Sequence, residues 1–429
     1  MRTLEKPTDS YIDLVERARS IFPGCTNTAV SPAPGYEVIA DRGAGVYLYD
    51  IDGRRWLDFA LGSGPLIHGH AHPRIIETIK QASNHGTHHF TIHRRAIELA
   101  ERISKYVPCA EMVRYMGTGN EATFNAIRLA RAATGRDSVI KFDGAFHGHH
   151  DMVSASFERS PTDSPNPYFQ SAGIQNGVRD TLAVLPFNDT KALTELLKAN
   201  ADKFAAVICE PFQRMIAPLP GFLETLREMC DKTGTVLIFD EVVTGFRLAP
   251  GGAQEFYGVL PDLVTLGKAL SGGMSIAALC GKRNLMQYFD PQYGRDNFAF
   301  HCGTLNGNAL AVEAAHTCLD LLIEEGGIHH LTSIGEYTRD RMARTLKDAN
   351  LEYQIVGEGP LFHAYFTSLP VQNNADVIAC DWKFSDRLHE LLFSAGVYKP
   401  SVKGYLGTVH QTDHIDELVN IIEWAIPQM

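Results

Sequence analysis

The sequence predicts an α/β fold with a mainly parallel central sheet in a large domain, accompanied by a smaller α+β part drawn from both ends of the chain. Three observations predict it. The 429 residues are 45% hydrophobic, enough to bury a large core. Through the middle of the chain short apolar runs alternate with amphipathic helical stretches, the pattern of parallel strands joined by crossover helices. Both ends mix helices with short strands instead.

In order, a first helix is expected from about Ser10 to Phe22, preceded by the capping residues Thr8 and Asp9 and stopped at Pro23-Gly24. VYLYDIDGRRWLDFA reads as two alternating strands joined at Asp52-Gly53, a dipeptide suited to a tight hairpin turn. From Pro73, helical periodicity in PRIIETIKQAS and RRAIELAERISKY leads into a short strand, MVRYM, and a Gly-rich turn. Then come EATFNAIRLARAA, SVIKF, TLAVLPF, TKALTELLKAN, AAVICEP, FLETLREMCDKTG, TVLIFDEV and DLVTLGKAL, interrupted near Ser160 to Asp180 by a polar, exposed excursion. After about Asn306 the apolar period of NALAVEAAHTCLDLLIEE predicts a long helix, and the chain closes on HIDELVNIIEWA. The division is residues 1–60 for the N-terminal part of a small domain, 61–310 for the large α/β domain and 311–429 for the C-terminal part of the small domain.

Fifty acidic residues against thirty-nine basic ones give a formal charge of −11, with no run of Lys/Arg suited to phosphate backbones or anionic lipid. Nucleic acid and membranes are therefore not expected partners. MRTLEKPTDS lacks the apolar core of a signal peptide, and nowhere do about eighteen apolar residues run together as a spanning helix needs, so a cytoplasmic protein is expected. The eight cysteines include no C-x-x-C pair and read as small core residues rather than disulfides or a metal site. Histidines cluster at His68, His70 and His72 and at His85, His88, His89 and His93, without the carboxylate or thiolate pattern of a metal motif; no metal is expected.

In an open parallel sheet, ligands sit where the carboxyl ends of strands lead into helices. Three features fall at such ends: the turn Gly117-Thr118-Gly119-Asn120 before a helix, Asp240 after TVLIF, and Lys268 after LVTLG. The turn offers backbone N–H groups and the Thr118 hydroxyl to a phosphate at the positive end of its helix. A buried Asp240 demands a partner, which a protonated pyridine nitrogen supplies. A strand-end lysine loses hydration, which lowers its amine's pKa and favours Schiff-base chemistry. Singly, each has an ordinary reading: a glycine turn, a helix cap or structural ion pair, a surface lysine. Together they fit pyridoxal 5′-phosphate, with Lys268 holding the cofactor and moving the proton at the substrate's α-carbon.

FDEVVTGFR followed by DLVTLGKALSGG resembles the signature of class III aminotransferases, the fold-type I pyridoxal phosphate enzymes, and is similar above all to glutamate-1-semialdehyde aminomutase-like proteins. The match also takes in GVYLYDIDGRRWLDFALGSGP, GHAHP, GNEATFNAIRLARAATGR, FDGAFHGHHD, CEP and HCGTLNGNALAVEAA, so it spans most of the chain. It implies that Lys268 is the Schiff-base lysine and Asp240 the pyridinium partner. Val242 would pack on one face of the cofactor ring and Phe146, where relatives often carry Tyr, on the other. Thr118, Gly119 and Asn120 stand where the family binds the phosphate, and Thr304 matches a threonine that reaches the phosphate from a neighbouring subunit, which implies a homodimer with shared active sites. Glu210 takes the family's active-site glutamate position. GHAHP serves as a structural turn, the second histidine cluster as a substrate wall, and His147 as support for the phosphate loop or Phe146. Several departures bear on substrate: Ser31 stands where the aminomutase places an arginine for a carboxylate, Arg214 where relatives commonly have glycine, Phe146 lacks a phenolic hydroxyl, GGMSIAALCG resembles the version found in some β-amino-acid aminotransferases, and GTHHFTIHRR departs from the family's usual substrate-entry sequence.

The resemblance implies an aminotransferase that passes an amino group from an amine or amino acid to an oxo acid, aldehyde or ketone. Ser31 favours this over an intramolecular aminomutase of the glutamate-1-semialdehyde type. A racemase or decarboxylase would use the same Lys268 and Asp240, because the pocket decides which bond breaks. A non-catalytic cofactor-binding protein is the reading from another class, and the intact lysine, acid and phosphate turn count against it.

Overall fold

The structure is a computed structural model that describes residues 4–28, 35–157, 159 and 164–429. Its first helix, Asp9–Ile21, starts where the Thr8 hydroxyl accepts the Tyr11 N–H and ends at Phe22. Strands β1 (Ala40–Ala44), β2 (Tyr47–Asp50) and β3 (Arg55–Asp58) follow as an antiparallel ladder. The β2–β3 turn needs Gly53, which sits at φ 77° and donates its N–H to the Asp50 carbonyl.

The large sheet contains β4 (Met112–Met116), β5 (Ser138–Phe142), β6 (Leu182–Leu185), β7 (Phe204–Cys209), β8 (Val236–Glu241), β9 (Leu263–Leu266) and β10 (Ala277–Gly281), in the order β4-β10-β9-β8-β7-β5-β6. From β6 across to β9 the pairing is parallel. Strands β5, β7, β8 and β9 are buried at every residue. Alternate side chains feed two cores: Val207 and Cys209 pack with Phe222, Leu226 and Met229 on one face, while Ala206 and Ile208 pack with Ala122, Ala126 and Leu129 on the other. Strands covered on both faces lose the polar alternation of a half-exposed sheet, which is why they read as unbroken apolar runs.

Strand β10, which the apolar-run pattern did not mark, pairs antiparallel with both β9 and β4. Only residues 267–276 join β9 to β10, too few for a crossover helix, so the chain turns back beside the strand it has left. The helix after Asn308 also departs from expectation: it is α-helical over Ala309–Leu319 and then widens into a π turn at Asp320–Glu324. The polar excursion is largely exposed over residues 164–180 with one short helix, Asn176–Arg179; residues 160–163 lie outside the described part.

Near the C-terminus come β11 (Gln354–Val356), β12 (Leu361–Tyr365), β13 (Val397–Tyr398) and β14 (Gly404–Tyr405). Strand β13 joins β3 in parallel, Val397 opposite Leu57, while β12 pairs with β11 and β14. Leu57 and Phe59 share a third core with Phe362, Leu418 and Ile422, so the two ends of the chain close one apolar volume. Six cysteines are buried, Cys25 is half-buried and Cys302 exposed; all eight are free thiols. No helix among the described residues is long and apolar enough to cross a membrane.

Candidate active site

Asp240 lies opposite Thr265 in the parallel register of β8 and β9, which puts the two strand ends side by side. The Asp240 carboxylate is buried and held by three donors: the His147 ring through Nδ1 at 2.8 Å on Oδ2, and the Val242 N–H and Thr265 hydroxyl, each at 3.1 Å, on Oδ1. Burial alone would raise its pKa, but the His147 hydrogen bond and charge, joined by the Val242 N–H and the Lys268 charge, together outweigh burial and hold the carboxyl below its ordinary range. A carboxylate has room for about four donors, so this one is charged, immobile and still able to accept one more.

Two residues beyond β9, Lys268 adopts φ 40°, a left-handed backbone unusual for a side-chain-bearing residue. Its amine has no hydrogen-bond partner among the described residues. Burial pulls its pKa below that of an ordinary lysine; Tyr405, Lys403, Asp240 and Glu210 are the charged or ionisable groups that act on it. A partly dehydrated amine held away from partners gives up its proton more readily than an exposed lysine, which makes it a better nucleophile and base.

Past β4, the Thr118 hydroxyl caps the helix Gly119–Thr134 by accepting the Glu121 N–H at 3.2 Å. The N–H groups of Gly119 and Asn120 have no acceptor among the described residues, leaving the helix's positive end open to an anion. The Asn120 side-chain oxygen instead accepts the His149 N–H at 2.7 Å, which ties this turn to the loop bearing Phe146 and His147. A Cβ on Gly119 would lie 2.9 Å from both Val242 methyl groups, so the missing side chain lets the turn press directly on Val242.

On that loop, the Phe146 N–H donates to Glu210 Oε1 at 2.7 Å and the Arg214 N–H to Glu210 Oε2 at 3.3 Å. The Arg214 guanidinium stands 5.8 Å from the half-exposed Phe146 ring. Arg214 has φ 59°, a backbone natural to glycine and strained for arginine. It also lines a small cleft with Gln213, Tyr365, Asn374 and Val402.

The structure thus gathers Asp240, Val242 and Lys268 with the Thr118-Gly119-Asn120 turn, and links Phe146, Glu210 and Arg214 to them. Thr304 is exposed on the loop before the helix Ala309–Leu319, without a side-chain hydrogen bond among the described residues. Ser31 lies outside the described residues. The expectation for His147 needs correction: its carbonyl does accept the Thr123 hydroxyl at 2.6 Å beside the phosphate turn, but its ring is committed to Asp240. Sequence reading missed Thr265, which supports Asp240, and Tyr405 with Arg247. The Tyr405 hydroxyl and Arg247 Nη1 are both buried without partners, and the guanidinium stands 5.3 Å from the ring. Tyr405 arrives from β14, and no local spacing connects it to Lys268.

Buried His68 and half-buried His70 and His93 hold the fold together. His68 bonds Thr408 at 2.9 Å and the Cys318 carbonyl at 3.1 Å, His70 bonds Asp58 at 2.7 Å, and His93 bonds the Gly307 carbonyl at 3.0 Å.

An ionised acid with one vacant acceptor position, open N–H groups at a helix start, an aliphatic residue pressed forward by a glycine, and an unpaired lysine amine fit a flat, phosphorylated pyridine aldehyde. Comparison with known proteins agrees. The family model "Aminotransferase class-III" matches residues 30–426. A glutamate-1-semialdehyde 2,1-aminomutase of Methanothermobacter thermautotrophicus is 39% identical over 420 residues, 96% of this chain and 97% of that protein. The crystal structure of an omega-transaminase from Sphaerobacter thermophilus superposes with a TM-score of 0.93 at 33% identity, covering 98% of both chains. A beta-phenylalanine aminotransferase from Variovorax paradoxus gives a TM-score of 0.86 at 28% identity, covering 98% of this chain and 94% of the other.

Proposed function

The chain belongs to the class-III aminotransferases, and on that footing we propose that it moves an amino group from an amine or amino acid to a separate oxo acid, aldehyde or ketone. Pyridoxal phosphate is its cofactor and, when bound, supplies an electron sink for the carbon that loses a proton. The observation that carries the reading is the pairing of an ionised, three-fold-held Asp240 with an unpaired Lys268 amine at adjacent strand ends.

Each residue's part follows from its chemistry. Lys268 Nζ would hold the cofactor covalently and, once released, accept the substrate's α-proton. Asp240 would keep the ring nitrogen protonated, with His147 keeping Asp240 ionised. Thr118, Gly119 and Asn120 would bind the phosphate, and Val242 and Phe146 would enclose the ring. Glu210 fixes the backbone of both Phe146 and Arg214, and Arg214 offers a cation beside Phe146 to a substrate carboxylate. Ser31, lacking the aminomutase's arginine, and Arg214, a cation those relatives lack, both favour a separate acceptor over the mutase reading.

A homodimer belongs to the proposal. Phe90, Ile92, Phe300 and Leu305 are 73%, 79%, 64% and 61% exposed, on two loops joined by bonds from His93 to Gly307 and from Asn308 to Thr87. A second copy would cover this apolar patch and bring its own Thr304 toward the phosphate.

The test is a purified holoenzyme given one amine and no oxo compound. It is expected to convert about one equivalent of cofactor to the amino form and stop, resuming when an oxo acid is added. Sustained turnover of a single amine compound without acceptor would sink the transferase reading, in favour of a mutase if the amino group moves along the skeleton and of a racemase or decarboxylase if it stays.

A further inference from the structure

Lys141 lies within β5, between Ile140 and Phe142, and is completely buried. A lysine there is costly unless the amine is solvated by protein. No carboxylate among the described residues pairs with it; its Nζ donates to the carbonyls of Ala145 at 2.9 Å and Val153 at 3.4 Å, and to that of Ala155 as well. Burial pulls its pKa down to about 7, and when protonated its three N–H bonds meet three carbonyls from the two ends of one loop.

That loop is a compact excursion of the kind whose ends meet. The Gly144 N–H donates to the Ser156 carbonyl across its neck, and Gly144, Gly148 and Ser156 turn it at φ 82°, 105° and 47°. Between the anchor points lie the loop's links to the site: the Phe146 N–H to Glu210, the His147 ring to Asp240, the Thr123 hydroxyl to the His147 carbonyl, and the His149 N–H to Asn120. A methionine of similar length would fill the volume without dehydrating a charge. The amine's distinctive contribution is to hold carbonyls.

We propose that Lys141 is a positioning residue for the cofactor site, whose buried amine staples both ends of the 145–155 loop and thereby sets His147 against Asp240. It rests on the pyridoxal phosphate reading of the site and extends it to a residue that touches neither cofactor nor substrate.

The experiment measures the dissociation constant of pyridoxal phosphate from apoenzyme by fluorescence titration, and the visible circular dichroism of the bound cofactor, in wild type, Lys141→Met, His147→Ala and the double variant. Lys141→Met should weaken binding by about tenfold or more, the loss expected of a charge-assisted hydrogen bond, and shrink the dichroic band. Because the staple acts through His147, the double variant should bind no more than about threefold more weakly than His147→Ala alone. Lys141→Arg, which keeps charge and donors, should recover most of the band. Binding by Lys141→Met within about twofold of wild type with an unchanged band, or losses that multiply in the double variant, overturns the proposal. If the Met variant does not fold, Lys141→Gln, with two donors and no charge, is judged by the same thresholds. Failure of wild type to bind pyridoxal phosphate would instead overturn the cofactor reading.

Discussion

Asp240 and His147 show how one residue's state depends on another far along the chain. Burial pushes the Asp240 carboxyl toward protonation, and His147 supplies the largest opposing influence. In His147→Ala the burial effect is left with weaker opposition, so Asp240 takes up a proton at higher pH than in wild type. The acid limb of the kcat/KM profile should therefore move to higher pH. A profile superimposable on wild type would mean that Val242 and Thr265 suffice. Asp240 and Lys268 were legible in the sequence because each closes an apolar strand and one chemical group demands both. The partnership of His147 with Asp240 was not, since 93 residues separate them and the sheet order alone brings them together. Lys141 was hidden for another reason: a lysine in SVIKF reads as the outward side of a strand, and only burial on both faces makes it internal.

At the scale of elements, the helix Gly119–Thr134 serves the site through what its first turn lacks. Thr118 takes the capping role and Gly119 removes a side chain that would collide with Val242, a β-branched residue with little freedom to turn aside. Gly119→Ala should leave the thermal midpoint nearly unchanged, because alanine favours helix, yet weaken cofactor binding by about tenfold through displacement of Val242. Equal binding constants for variant and wild type would show that Val242 yields freely. The turn and its helix could be read from the sequence, because a glycine-rich turn before a periodic apolar run is a local signal, whereas the capping role of Thr118 emerged only with the structure. The antiparallel strand β10 and the π turn at Asp320–Glu324 could not. The first follows from the short connection to β9, and the second leaves no mark on an otherwise uninterrupted apolar period.

For the molecule as a whole, the buried histidines that join its parts set its tolerance of acid. His68 and His410 are held neutral by burial, with pKa values pulled down to about 4 and about 3. In the unfolded chain both titrate near the ordinary value of about 6.5. Between those values the unfolded chain binds protons that the folded one refuses. Stability therefore falls as pH drops below about 6.5, until about 4 for His68 and about 3 for His410. Replacing His410 by Gln should flatten the dependence of unfolding free energy on pH by about 1.4 kcal/mol per unit between about pH 6 and about pH 4. Parallel curves for the two proteins would exclude His410 as a source of acid sensitivity.

The pairing of β13 with β3 also bears on how the protein is made. His68 bonds Thr408 across 340 residues, and Leu57 finds Val397 only after nearly the whole chain exists. During synthesis the seven-stranded sheet, with Asp240 and Lys268, can assemble while β1–β3 still wait for their last neighbour. Closing so long a loop is slow relative to local structure, and until it closes Leu57, Phe59 and the edge of β3 stay uncovered. A nascent chain is thus most vulnerable to aggregation late, when its chemistry is nearly assembled but its first strands are unpaired.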